Sequence, residues 1–181
     1  MPTVFSHAVA ALGLGAAFFG SKAPARVLAL GALCAALPDA DVVGFALGVR
    51  YEDPLGHRGL SHSLAFAVAL ATAALPLVYR RGKDGPGPGK LWCYLFLSTA
   101  SHGFLDALTD GGLGVALLAP FDDSRYFFPF RPIEVSPIGV WRFLSGRGLA
   151  VIASELLWVW LPAAVLAGVG LRIAVSREEV C

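Results

Sequence analysis

Residues 148–171, GLAVIASELLWVWLPAAVLAGVGL, carry one ionisable side chain, Glu155, in 24 positions. A helix needs about 20 largely apolar residues to cross a bilayer. Inside lipid the backbone must satisfy its own hydrogen bonds, which selects helix for such a run. Two further runs, LAFAVALATAALPLVY (64–79) and LWCYLFLSTASHGFL (91–105), contain no charge apart from a protonatable His102, and reach spanning length with their flanks. AVAALGLGAAFFG (8–20) and VLALGALCAALP (27–38) are shorter. They read as thin spans or as a helical hairpin leaning on the others. Charged residues make up 15% of the chain, against about 25% in soluble domains. The expectation is an all-α integral membrane bundle of four to five helices, one domain over 1–181.

The helices are expected at about 4–20, 26–37, 61–80, 90–109 and 148–172, with long connections at 38–60 and 110–147. Lys and Arg in short loops face the cytoplasm. Lys22, Arg26, Arg80, Arg81, Lys83, Lys90, Arg172 and Arg177 gather at one end of this layout. The opposite end holds six Arg, but these sit in long loops, where the rule is weaker, beside ten of the thirteen acidic residues. The expected topology is therefore N-terminus outside, C-terminus inside. The N-terminus lacks the basic region of a secretory signal and is expected to stay on the mature protein. With a net charge of +1 and no Lys/Arg stripe, a nucleic-acid partner is not expected. Cys34, Cys93 and Cys181 are scattered, so no disulfide or CxxC site is implied.

The polar residues fall at one end of this map. His7 begins the first helix, Asp39 and Asp41 in LPDAD follow the second, and His57 and His62 in GHRGLSHS precede and open the third. His102 and Asp106, four apart, share a face of the fourth helix, with Asp110 a turn beyond and Glu155 in the fifth. Each has a bland explanation taken alone, as a cap, a turn former or an interfacial anchor. Ionisable groups at membrane depth are expensive, however, and by default functional. Five segments placing such groups in one layer point to a site at one membrane face, the non-cytoplasmic one.

Imidazole and carboxylate together suit Zn, Mn or Fe rather than Ca or Mg. No cysteine lies in the layer, unlike most closed structural zinc sites. One or two divalent ions, Zn foremost, are expected, held by His7, Asp39, His62, His102 and Asp106, with Asp41 and His57 next. Two ions about 4 Å apart can clamp a phosphate and generate hydroxide. Arg58 would offer a forked donor to that phosphate, at a helix start whose dipole favours anions. Asp110 or Glu155 would act as base or extra ligand. No G-x-S-x-G motif favours a serine nucleophile, and Ser61 is not expected to face the adjacent His62.

Several stretches resemble the bacterial membrane-bound metal-dependent hydrolases typified by a LexA-regulated inner-membrane protein. They are His7, LPDAD (37–41), GHRGLSHS (56–63), SHGFLDALTDGG (101–112), VALLAPF (115–121) and RYFFPFRPI (125–133), in the same order as in that family. The resemblance implies an inner-membrane location and metal-dependent hydrolysis. Val42 stands where many relatives carry a histidine, which leaves the ligand set smaller or completed elsewhere. The order His, Asp, His, HxxxD is also similar to the helical zinc-dependent phospholipase C and single-strand nuclease group, favouring phosphate esters over peptides. That group's later histidines have no counterpart after His102.

The aromatic and basic segment 122–147 reads as an interfacial belt, and as a lid gripping a lipid headgroup. Membrane lipids and a lipid-linked or phosphate-bearing substrate are thus the expected partners. Two other classes remain open. A metal-ion transporter would place ligands near the midplane on broken helices. A non-catalytic scaffold stapled by metal would need neither a vacant coordination position nor Arg58.

Overall fold

The computed structural model describes residues 1–79, 85–137, 140–144 and 147–179. Its helices are α1 (Val4–Phe19), α2 (Ala25–Ala36), α3 (Val43–Ala46), α4 (Leu64–Val78), α5 (Pro88–Ala107), α6 (Val140–Leu144), α7 (Arg147–Glu155) and α8 (Leu161–Glu179). Among the described residues there is no strand, only two isolated bridge pairs, Thr109 with Ile133 and Val115 with Tyr126. The five expected helices are present. The second runs further than its apolar stretch suggests. A tight 3-10 turn, Leu37–Val42, carries it from α2 into α3, giving a helical stretch of 22 residues, Ala25–Ala46. Pro38 sits in that turn's first residues, and its missing N–H leaves one backbone bond of the preceding turn unmade, where α2 tightens into 3-10 geometry. Asp39 and Asp41 therefore ride on a helical continuation rather than in a loop.

Among the described residues three stretches are long and apolar enough to cross a membrane: Val4–Lys22, Ala25–Ala46 and Arg147–Ser176; Leu64–Val78 is apolar but shorter. The 20-residue α5 is not among them, because Ser98, Thr99, Ser101, His102 and Asp106 dilute its apolar face. At about 1.5 Å per residue it is nonetheless about 30 Å long, and those polar groups are buried or half-buried against its neighbours. The bundle is thus apolar outside and polar within at one end. Leu33, Leu77, Leu157 and Val165 are exposed on apolar helices while Arg58, His102 and Asp106 are fully buried. That distribution suits a hydrocarbon solvent and not water.

Helices α1, α2, α4 and α5 pack together around Phe19, Val27, Cys34, Ala71, Ala74, Val78, Leu91, Tyr94 and Leu95 at the end away from the polar residues. The last long helix joins through α1. A β-carbon on Gly13 would lie 2.8 Å from the Ala163 carbonyl oxygen, and one on Gly170 would lie 2.4 Å from Ala17 Cα. Small residues let helix backbones touch where lipid supplies no hydrophobic drive for association. Between α7 and α8 the helix widens into one π-turn, Leu156–Trp160. Residues 80–84, which carry Arg80, Arg81 and Lys83 of the topology argument, lie outside the described residues.

Candidate metal centre

Four segments bring the site together. Asp39 and Asp41 come from the 3-10 turn after α2, and His62 closes a second 3-10 turn, Leu60–His62, just before α4. His102 and Asp106 lie on one face of α5, and His7 is in the first turns of α1. Asp39, His62, His102 and Asp106 each offer a ligand atom, all within 4.8 Å of one another, and all four residues are buried. His102 Nε2 lies 3.0 Å from His62 Nε2 and 3.3 Å from Asp39 Oδ1. His62 Nε2 is 3.7 Å from Asp39 Oδ1 and 3.5 Å from Asp106 Oδ2.

The hydrogen bonds on the far side of each ring decide what these nitrogens present. His102 Nδ1 lies 2.6 Å from the Ala35 carbonyl oxygen, which can only accept. Nδ1 therefore holds the proton, and in the neutral ring Nε2 is a bare lone pair. His62 Nδ1 faces Asp41 Oδ2 at 3.2 Å and Ser61 Oγ at 2.9 Å. Ser61 gives its own proton to Asp41 over 2.6 Å, so it accepts from His62. In the neutral ring, as a metal ligand requires, His62 Nε2 would then also point a lone pair inward. Ring N–H to carboxylate or carbonyl contacts of this kind are how proteins orient metal-binding histidines.

Two lone pairs and two carboxylates then face one point. The oxygens of Asp39 and Asp106 and both nitrogens of His7 find no hydrogen-bond partner. Buried acceptors left unpaired cost about 1–3 kcal/mol each, more if charged. Arg58 Nε, 3.0 Å from Asp106 Oδ2, meets part of this set, and a bound cation would satisfy the rest. Four ligands held about 2.1 Å from a tetrahedral centre, as for Zn with N and O donors, stand about 3.4 Å apart. Four of the six separations, 3.0–3.7 Å, bracket that value, and all six lie within 4.8 Å. His62, in the turn outside the spanning helix, responds accordingly. Burial alone would lower its pKa, but the carboxylates of Asp106, Asp39 and Asp41 push it up to about 10.

Over residues 1–179 the chain matches the sequence profile of the YdjM inner membrane protein family. It belongs to that family. Inner membrane protein YbcI of Escherichia coli strain K12 is 41% identical over 170 residues, covering 93% of this chain and 96% of that protein. No solved structure matches. The expected inner-membrane location stands on these likenesses and on the apolar helices; the hydrolase half of the resemblance has no counterpart in either name.

The remaining expected site residues of this YdjM family member are placed differently. His7 stacks on His102, ring centroids 3.6 Å apart, with Nε2 3.6 Å from Asp106 Oδ1. It stands at the rim of the four-residue set. His57 Nδ1 contacts Asp41 Oδ1 at 2.7 Å, and Asp41, His57 and His62 form a second group able to hold an ion. Filling both groups at once would require His62 to use both nitrogens, one of which is committed to Asp41 and Ser61. One ion fits this arrangement best, with Asp41 orienting His62.

Arg58 is not presented to a ligand. It is fully buried, its Nε lies 3.0 Å from Asp106 Oδ2, and its terminal nitrogens donate to the Gly111 carbonyl (2.8 Å) and Thr109 Oγ1 (3.0 Å). The α4 N-terminus is likewise spoken for, since Ser63 Oγ accepts from Phe66 N and the Leu117 carbonyl accepts from Leu64 N. Asp110 is exposed and its Oδ1 accepts from Val135 N, tying the 130s segment to the end of α5. Glu155 is buried away from the cluster and takes hydrogen bonds from Thr3 N, Thr3 Oγ1 and Ser6 Oγ, capping the start of α1. Ser61 and His62 do meet, contrary to expectation, because they lie in a 3-10 turn whose side chains both bend toward Asp41.

Other residues of the site escaped notice in the sequence. The Ala35 carbonyl left no signal there, since its role is a backbone one. Thr109 holds Arg58 from within LTDGG, and Gly103 lets the turn of His62 approach α5. In the aromatic segment Arg125 ties down the 51–57 loop through the carbonyls of His57, Tyr51 and Asp53, while Phe130 and Trp141 stand exposed in the manner of an interfacial belt.

Proposed function

We propose that this YdjM family member is a membrane-bound metal-dependent hydrolase that cleaves a phosphoester, using one divalent ion, Zn first and Mn or Fe next, held by Asp39, His62, His102 and Asp106. The observation that carries the reading is the convergence of four buried groups from three segments, each offering a ligand atom within 4.8 Å of the others. A divalent ion there would polarise a phosphoryl oxygen and lower the pKa of bound water. Asp41 and the Ala35 carbonyl keep His62 and His102 turned inward. Arg58 holds Asp106 in place, so its part is positioning. His7 stands beside the second oxygen of Asp106 and stacks on His102, so it too would position the ligands. The resemblance to metal-dependent hydrolases supports hydrolysis, and the lipid-like surroundings support a membrane substrate reaching a site on the non-cytoplasmic face.

One observation favours a second reading. Four protein ligands can close a tetrahedral site, and closed sites are usually structural, as in a scaffold whose metal ties helix ends together. A transporter is disfavoured because the ligands lie at helix ends and α1, α2 and α5 run unbroken beside them.

The test is metal content by plasma emission spectrometry on detergent-purified protein, beside His102→Ala and Asp106→Ala, with hydrolysis of bis(p-nitrophenyl) phosphate and phosphatidic acid followed on the same samples. About one ion per chain, lost in both variants together with hydrolysis, supports the proposal. Metal without turnover of either substrate selects the scaffold. Wild type that neither retains nor takes up Zn or Mn sinks both.

A further inference from the structure

The GHRG turn delivers two neighbouring side chains to two different carboxylates of the site. Arg58, at its left-handed φ, reaches Asp106. His57, one residue earlier, reaches Asp41 instead, with Nδ1 2.7 Å from Oδ1. An ionised carboxylate only accepts, so His57 Nδ1–H donates in this contact. The other oxygen of Asp41, Oδ2, accepts from Ser61 Oγ at 2.6 Å and Arg58 N at 3.3 Å, and lies 3.2 Å from His62 Nδ1. The two oxygens thus have separate tasks. Oδ2 turns the His62 ring, and Oδ1 is where His57 holds the carboxylate.

Distance argues that His57 is no ligand. Ligands of one tetrahedral ion stand about 3.4 Å apart, so a nitrogen and an oxygen 2.7 Å apart share a proton rather than an ion. Packing argues that its ring is set before any ion arrives. It is 2% exposed and meets the rings of Tyr51 and His62 edge-to-face, each at 5.3 Å between centroids. Its backbone is fixed from outside the cluster as well. Arg125 Nη1 donates to the His57 carbonyl over 2.9 Å, while Nη2 donates to the carbonyls of Tyr51 and Asp53. A carboxylate behind a metal-binding ring is a common support; here that carboxylate has a rigid support of its own.

We infer that His57 is a positioning residue of the metal centre and not one of its ligands: by donating to Asp41 it fixes the carboxylate that turns His62 Nε2 toward the ion. This rests on the metal-centre reading, and is independent of the reaction assigned to it. Removing a partner that orients a ligand costs about 10–100-fold in metal affinity. His57 acts one contact further out, so the lower end of that range is expected.

The experiment compares detergent-purified wild type with His57→Ala, His57→Asn and His57→Gln. It reads Zn affinity by competition with a chromophoric chelator, ions bound per chain, and the visible absorption of the Co-loaded protein. The Asn amide N–H can stand where Nδ1–H stands, whereas the Gln amide falls nearer the place of Nε2. About one ion per chain is expected throughout, with affinity about tenfold lower in His57→Ala and His57→Gln and their Co bands changed. His57→Asn should recover to within about threefold of wild type with wild-type bands, a rescue that refilling the space of the ring would not give. His57→Asn no tighter than His57→Gln overturns the inference, whether or not the Ala variant folds. Wild-type affinity in His57→Ala overturns it too. Two ions in wild type against one in every variant would make His57 a ligand. Wild type that binds neither Zn nor Co removes the metal centre and this role with it, a failure told apart by the empty wild type.

Discussion

Arg58 shows how a side chain that looks like a substrate clamp can be a structural one. It adopts a φ of 64°, the left-handed region that costs a non-glycine residue about 1 kcal/mol or more. That strain is tolerated because the turn delivers the guanidinium to Asp106, Thr109 and the Gly111 carbonyl at once. Lysine would keep the charge but not the fork. Arg58→Lys is expected to lower stability by about 1–3 kcal/mol through the lost buried hydrogen bonds, and to weaken metal retention because Asp106 is freed. Thermal unfolding in detergent with metal analysis checks this; unchanged stability and metal with only a raised KM would restore Arg58 as a phosphate clamp. His62 makes a second case. Its pKa in the fold, about 10, lies above the ordinary 6.5. A raised folded pKa stabilises fully below the unfolded value and the gain is lost as pH rises through the folded one. Metal-free protein should therefore lose stability between about pH 7 and 10. Metal-loaded protein should not, since its His62 is already deprotonated. Unfolding temperatures across that range, with and without chelator, decide it, and a flat metal-free profile counts against the geometry described.

At the scale of elements, the site depends on turns meeting helices closely. A β-carbon on Gly103 would lie 2.6 Å from the His62 carbonyl oxygen, a backbone atom that cannot swing away. Glycine in mid-helix costs about 1 kcal/mol relative to alanine, so Gly103→Ala would help an isolated α5 and harm the assembled one. The expected result is a fall of tenfold or more in metal affinity at little change in helix content, read by competition with a chromophoric chelator and by circular dichroism. Affinity equal to wild type would mean that the His62 turn can retreat without disturbing its ring. The π-turn after Glu155 belongs at this scale too. The motif spacing in the sequence showed that His7, Asp39, His62, His102 and Asp106 share a layer. It could not show which ring nitrogens face inward, because the partners that settle this, the Ala35 carbonyl and Ser61, are a backbone atom and a commonplace residue. Nor could it separate Glu155, an α1 cap, from the cluster, since one turn along a helix axis is invisible to a count of polar residues.

For the whole molecule, apolar run length made the helical membrane bundle legible, because about 20 uncharged residues have few other uses. It misjudged α2, where LPDAD looks like a break but continues as a 3-10 turn. The placement of the polar layer at one end followed from antiparallel connection of the spans, and the structure keeps that arrangement: the start of α1, the end of α2, the start of α4 and the end of α5 all meet there. Which compartment that end faces is a matter of charge. Lys22, Arg26, Lys90 and Arg172 lie at the opposite end, in short connections where positive charge governs orientation, whereas Arg50, Arg58 and Arg125 lie in long loops where it governs less. The site is accordingly expected outside the cytoplasm. In a cysteine-free background, Leu55→Cys, 67% exposed beside the site loop, should react with a membrane-impermeant maleimide in intact spheroplasts, while Ser21→Cys at the far end should react only after lysis. The reverse pattern would place the metal centre in the cytoplasm, and with it any substrate would have to come from the inner leaflet.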